Sequence, residues 1–240
     1  MLNNYYEWQK KMMETLVTKN VSIVLHTIMT DIVTKDRIQL VAHDLLMQFG
    51  IRSISMDDIA SKLGMSKKTI YLYFKDKDEL VEAVVEELIN KNQGLCNADR
   101  QKANDAVHEI FLAIDMVTEL FRSMNPSVLF DLQKYHSNAF TTFLKHKNEF
   151  ILAMMRQNII RGISEELYRS EINVEIMARF RVESMFIPFN PEFVRSTKST
   201  LVIIEQEIIR HFLFGMVTLK GYKLILKYQE QREKGSSLKK

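Results

Sequence analysis

The chain has 240 residues, 46% of them hydrophobic, enough to bury a sizeable core in one or two domains, and its net charge of +3 is close to balance. Seven glycines and three prolines favour helices over a turn-rich β fold, and the single cysteine, Cys96, excludes an intramolecular disulfide and reads as an inert thiol rather than a redox sensor. No run approaches about 18 apolar residues without a charge and no secretory-signal pattern opens the chain, so a cytoplasmic protein without a membrane span is expected.

In chain order, Tyr5, Trp8, Met12, Leu16 and Lys19 fall on a helical spacing and Val21 to Met29 form an apolar run, so residues 1–31 read as one or two amphipathic helices. From Lys35 to Phe49 the positions Ile38, Val41, Ala42, Leu45, Leu46 and Phe49 follow a 3.6-residue period, with Gly50 past the end. Ser55 and Asp58 have capping-box form, Ile59, Ala60 and Leu63 share a face, and Gly64 supplies the residue best able to take positive φ after a helix. Ser66 is a second N-cap only two residues later, so Lys67 to Phe74 form a second short helix that crosses the first steeply. Asp76 and Glu79 open a third through Leu80, Val84 and Leu88.

Within Lys67 to Phe74, Ile70 and Phe74 pack inward with Leu63 and leave Lys67, Lys68, Thr69, Tyr71 and Tyr73 on the outer and flanking faces. That face has the composition of a DNA reader: lysines neutralise phosphates or reach guanine edges, a threonine touches a base, and tyrosine hydroxyls donate to phosphate oxygens. Lys62 to Lys77 contain five lysines against one acid, Asp76, so the positive charge is local. Each feature taken alone is an ordinary surface; their order and spacing carry the inference.

Residues 36–88, with Phe49-Gly50, Ile59-Ala60, Gly64-Met65-Ser66, Thr69-Ile70-Tyr71, Tyr73-Phe74, Lys77 and Leu80, resemble the N-terminal domain of the TetR family of bacterial transcriptional regulators. The resemblance implies that Lys67, Lys68, Thr69 and Tyr71 face the major groove and that Tyr73 and Lys77 touch phosphates. Family members generally begin a few residues before the helix that here starts near Lys35. Residues 1–31 are then an extension, either an arm that packs on the body or adds DNA contacts, or a stretch upstream of a start at Met29.

After Leu80 an apolar-rich helix runs to about Gly94 and forms the natural lever between the two halves, followed by a polar joint from Asn97 to Asn104. Val107, Ile110, Phe111, Ile114, Val117 and Phe121 make the stripe of a helix that Asn125-Pro126 stops. Two helical stretches follow, Ser127 to Lys147 and Asn148 to Glu166. Phe111, Phe121, Phe130, Phe143, Met154 and Met155 suit either plain core or a deformable apolar cavity, and the resemblance favours a small-molecule effector pocket in this region. Glu171 to Phe186 reads as a helix ended by Ile187-Pro188-Phe189-Asn190-Pro191. Thr200 to Leu219 is apolar on two faces: Leu201, Ile204, Ile208, Phe212 and Gly215 make one stripe, and Val202, Ile209, Leu213 and Met216 another. Such a helix is covered on both sides, either as the centre of a monomer or, as the family's dimeric four-helix interface implies, by a second subunit. QREKGSSLKK at the end is expected to fray.

No catalytic or metal constellation emerges. His43 and Asp44 are adjacent on a helix and point apart, and the six histidines, at 26, 43, 108, 136, 146 and 211, show no HExxH pattern. No Walker loop or dinucleotide glycine fingerprint is present either, so no enzyme, cofactor or metal is expected. The expected protein is all-α: residues 1–31 an extension, 32–80 a helix-turn-helix three-helix domain, 81–231 a larger helical effector-binding and dimerisation domain, and 232–240 a polar tail. By function it is expected to be a homodimeric repressor of a near-palindromic operator, released by a small-molecule effector. The alternatives are an effector-independent, nucleoid-type DNA binder and a helical protein-interaction module.

Overall fold

The computed structural model describes residues 31–237, and the expectations for residues 1–30 lie outside them. The described residues are helical and contain no strand. Helix α1 covers residues 31–49 and ends at Gly50, whose φ of 90° lies in the left-handed region. Helix α2, Met56–Leu63, begins on a reciprocal capping box: the Asp58 N–H donates to Ser55 Oγ at 3.2 Å and the Ser55 N–H donates to the Asp58 carboxylate at 2.8 Å. Gly64, at φ 67°, closes it. Helix α3, Lys67–Tyr71, is capped by Ser66 and is shorter than expected, because Leu72 and Tyr73 tighten into i→i+3 turns. Phe74 nevertheless stays beneath Ile70, and both are almost wholly buried. Ile38, Ala42, Leu46, Ile59, Leu63, Ile70, Phe74 and Leu80 form one core.

Helix α4 runs from Lys77 to Lys102 without a break at Gly94 or a joint from Asn97. One interior glycine costs about 1 kcal/mol relative to alanine, and with no proline or capping residue beside it the helix passes straight through. Helix α5, Ala106–Arg122, is capped by Asp105 and ends before Asn125-Pro126 as expected. The stretch Ser127 to Lys147 divides at His136 into α6, Val128–Tyr135, and α7, Ser137–His146. The boundary expected after Lys147 is instead continuous: a π-helical turn, Lys147–Ile151, leads into α8, Leu152–Ser164. The extra residue of a π-turn rotates the helix face, which here buries Lys147 against Glu183, at 2.9 Å, and the Phe186 ring.

Asn173 caps α9, Val174–Ser184, which leads through a 3₁₀ turn, Ile187–Phe189, to α10, Pro191–Thr197. Helix α10 carries its own signal, an Asn190 cap followed by proline at the first position, inside a stretch expected to be only a terminator. Helix α11, Leu201–Met216, stops three residues earlier than expected, and α12, Leu219–Ser237, follows. The expected frayed tail is therefore helical to Ser237, with Arg232 held by the Phe111 carbonyl and the Asp115 carboxylate.

Two packing features place the rest. Helix α6 delivers Val128 and Leu132 to the core of α1–α4, while a second core joins α5, α8, α9, α11 and α12 around Tyr168, Ile159, Phe212 and Met216. The turn between α4 and α5 is pinned to α8. The Tyr168 hydroxyl and the Asn158 amide both donate to the Ala106 carbonyl, at 3.1 and 3.0 Å, the Arg161 guanidinium donates to the Ala103 carbonyl, and the Ala106 N–H donates to Glu165.

Candidate DNA-reading face and ligand cavity

Helix α3 presents Lys67, Lys68 and Tyr71 to solvent, with Thr69 and Tyr73 half-buried beside them. Ile70 and Phe74 occupy the opposite face, so anchoring and presentation are separated by helix geometry alone. Three of the outer groups have intramolecular partners. Lys67 Nζ donates to the Asp57 carboxylate at 2.7 Å, which raises its pKa, and the Tyr73 hydroxyl donates to Asp31 at 3.0 Å, which raises that of the phenol. Thr69 Oγ shares a hydrogen bond with Ser66 Oγ at 2.8 Å.

Lys77 differs from the phosphate-contacting residue expected. Its ammonium is half-buried and donates to the carbonyls of Ile51 and Ile54, at 2.6 and 2.5 Å, and burial pulls its pKa down. It ties the start of α4 to the α1–α2 corner. That corner is also held by α6: the Asn125 N–H donates to the Met47 carbonyl at 2.7 Å, the Arg52 N–H donates to the Asp131 carboxylate at 3.0 Å, and the Arg52 guanidinium lies over Tyr135. The sequence signal for Asp131 and His136 as junction residues is faint. His136 is buried with Nδ1 2.6 Å from Asp78, yet off the line of a hydrogen bond, and only its position at a helix break hints at a role.

A cavity of about 250 Å³ lies between α4, α5, α6, α7, α8 and α9. Of the six residues expected to line a pocket, Phe121, Phe143, Met154 and Met155 do so. Phe111 is buried in the second core against Tyr228, with ring centroids 5.6 Å apart, and Phe130 is 51% exposed under Lys134. No sequence signal separates these two, since Phe111 and Phe130 lie in the same amphipathic stretches as the lining residues. Met47, Ile51, Val85 and Val128 also line the cavity, so its wall includes the core of α1–α4 itself. Its polar lining is sparse: Asn92, Cys96, Asp99, Glu109, His146, Asn158 and Arg181. Arg181 is neutralised by Glu205 at 2.5 Å, both almost wholly buried, and burial raises the Glu205 pKa. Burial alone lowers the His146 pKa.

On α11, Leu201, Ile204 and Phe212, three of the five residues expected at a subunit interface, are buried within their own chain, while Ile208 is half-buried and Gly215 exposed. The outward stripe is Ile203, Glu207, Arg210 and Phe214, continued on α12 by Leu219, Tyr222 and Leu226, with the Phe214 and Tyr222 rings 5.7 Å apart. Among the described residues no cluster of His, Cys, Asp and Glu could hold a metal ion, and no helix is long and apolar enough to cross a membrane.

Residues 39–84 match the family described as bacterial regulatory proteins, tetR family. The HTH-type transcriptional regulator YvaF of Bacillus subtilis is 33% identical over 135 residues, 52% of this chain and 69% of that protein. A Staphylococcus aureus HTH-type transcriptional regulator is 39% identical over 56 residues, 23% of this chain and 30% of that protein. Among solved structures, a TetR-family transcriptional regulator from Agrobacterium tumefaciens has a TM-score of 0.64 at 13% identity, covering 77% of this chain and 97% of that one. A transcriptional regulator from Cytophaga hutchinsonii has a TM-score of 0.58 at 20% identity, covering 75% and 97%. With a helix-turn-helix capped at each start, a larger helical region behind it and a relative matched over two thirds of its length, the chain belongs to the TetR family of bacterial transcriptional regulators.

Proposed function

We propose that the chain acts as a homodimeric repressor that leaves a near-palindromic operator when a small molecule fills the cavity. Residues 32–80 are the DNA-binding part in this reading, and residues 81–231 bind the effector and dimerise. The observation that carries the reading is the cavity wall: Met47, Ile51 and Val85 belong to the core that holds α3, and Phe121, Met154 and Met155 to the region behind it. An occupant that prefers a wider cavity displaces the DNA-reading half directly, and linkage then requires operator DNA to weaken effector binding by the same factor.

Lys67, Lys68, Thr69 and Tyr71 are the groove-facing residues in this proposal and Tyr73 a phosphate contact, with Asp57 and Asp31 released from Lys67 and Tyr73 when DNA arrives. The dimer forms through the outward stripe of α11 and α12, joined by Ile208 and Gly215, and sets two copies of α3 about 34–36 Å apart if the half-sites lie one turn apart. Fluorescence anisotropy with the chain's own upstream intergenic DNA against a scrambled duplex tests the reading. A preference of roughly a thousandfold is expected. Lys68→Ala should lose affinity and reduce the salt slope by about one. Leu226→Glu should yield a monomer by sedimentation with operator affinity lost. Equal, steeply salt-dependent binding to both duplexes would sink the specific-repressor reading.

A further inference from the structure

We infer that the cavity is built for a lipophilic cation, a compact apolar body carrying one ammonium or comparable positive centre; this rests on the reading of the cavity as an effector site. The inner face of α4 changes character along its length. Val85 and Ile89 line the cavity at the DNA-binding end, and the same stripe continues at helical spacing through Asn92 and Cys96 to Asp99. The wall thus runs from hydrocarbon to carboxylate, the polarity profile of an amphiphile lying along the helix.

The sign of the charge follows from which polar groups are already engaged. Among the described lining residues Arg181 is the only guanidinium, and Glu205 already matches its charge at 2.5 Å while keeping one oxygen without a hydrogen-bond donor, so no net positive charge is left there for an anion. Among the described residues Asp99 meets one cation, Lys102, at 3.7 Å, beyond hydrogen-bond distance, so its carboxylate keeps acceptor capacity in the cavity wall. Glu109, across the cavity on α5, shares Arg161 at 3.3 Å with Glu165. The Cys96 thiol lies in the resulting negative field, its pKa raised first by burial and then by Asp99. Polarisable neighbours complete the site: Met155 and the stacked rings of His146 and Phe150 offer thioether and π surface that favours a cation over an anion of the same shape, while the Met154 sulfur is already met by the Arg100 guanidinium. His146 does not oppose it, because burial lowers its pKa and so disfavours the charged ring.

Three probes of one shape and different charge test the inference on the full chain: octyltrimethylammonium, 1-octanol and octanoate, read by isothermal calorimetry and by release of operator DNA. The cation is expected to bind about tenfold more tightly than either of the others, and Asp99→Asn to erase that preference while leaving octanol binding intact, which also reports that the variant is folded. Octanoate or octanol binding as tightly as the cation, or a preference that survives Asp99→Asn, overturns the charge assignment. If those probes still release operator DNA, the effector reading stands without it. If none of the three binds, or none releases DNA at saturation, the effector reading falls along with the cation.

Discussion

The two ends of α4 belong to regions built on different principles. At its start, α2, α3 and α4 each open on a side-chain cap, and the core between them is tightly covered. Behind this region, α6, α7, the π-turn and α8 begin without a side-chain cap and are shaped by what they pack against, including a cavity rich in methionine. The first region is specified locally and is stiff; the second is specified by tertiary contact and keeps room for an occupant. A reader of DNA needs fixed side-chain positions, whereas a sensor needs a wall that yields.

Breaking the buried Arg181–Glu205 pair should have the largest effect. Arg181→Met strands Glu205 in the interior and is expected to cost about 3–5 kcal/mol in chemical denaturation, whereas the double variant with Glu205→Leu should recover most of it. Equal stability of the single and double variants would mean that the pair is hydrated and not structural. Truncation then compares the two regions directly. Ile70→Ala, in the stiff core, should cost about 2–5 kcal/mol, and Met154→Ala, in a wall that already borders empty space, under about 1.5 kcal/mol. Similar values for the two would erase the distinction.

The local code is checked by Ser55→Ala, which removes one half of the capping box and should cost about 1 kcal/mol. Lys77→Ala separates tie from contact. As a tie between α4 and the α1–α2 corner, its loss should lower the melting temperature while leaving the salt dependence of operator binding unchanged; a slope reduced by about one would restore it as a phosphate contact. The smallest effect belongs to His146. Its folded pKa is depressed by burial, so its contribution to stability is present above the unfolded value and is lost as pH falls through the folded one. Stability should decline on acidification below about pH 6.5, and His146→Gln should flatten part of that decline in melts taken across the range.

What could be read before folding tracks the same division. Ser55, Gly64, Ser66 and Asp76 announced three helix starts and one helix end because caps act within a single turn, and Ile70 with Phe74 announced the buried side of the reader. Gly94 misled because glycine ends a helix only where the chain also turns, and no neighbouring residue demands a turn there. Asn97 to Asn104 reads as a joint because polar residues cluster there, yet the helix continues to Lys102 and Asp99 lines the cavity. On α11 both apolar stripes were visible, but which one the chain covers itself depends on α5 and α9, far away in sequence, and Leu201, Ile204 and Phe212 went to the interior. Lys77 was legible as a charge near the reader and illegible as a tie, because its acceptors are main-chain carbonyls whose direction no side-chain pattern reveals.

The unbroken run of α4 sets an arithmetic of displacement. At 26 residues it is a rod of about 39 Å, anchored at one extremity by the hydroxyl, amide and guanidinium that grip the 103–106 turn. A tilt of about 5° around that anchorage shifts the opposite extremity by roughly 3 Å, close to one base-pair step. On the proposed release from operator DNA by an occupant of the cavity, substitutions that loosen the grip, such as Tyr168→Phe, touch neither partner, yet should move the fulcrum and with it the amplitude of the swing. Variants with altered induction ratio and ordinary affinity for both partners should therefore gather at this turn.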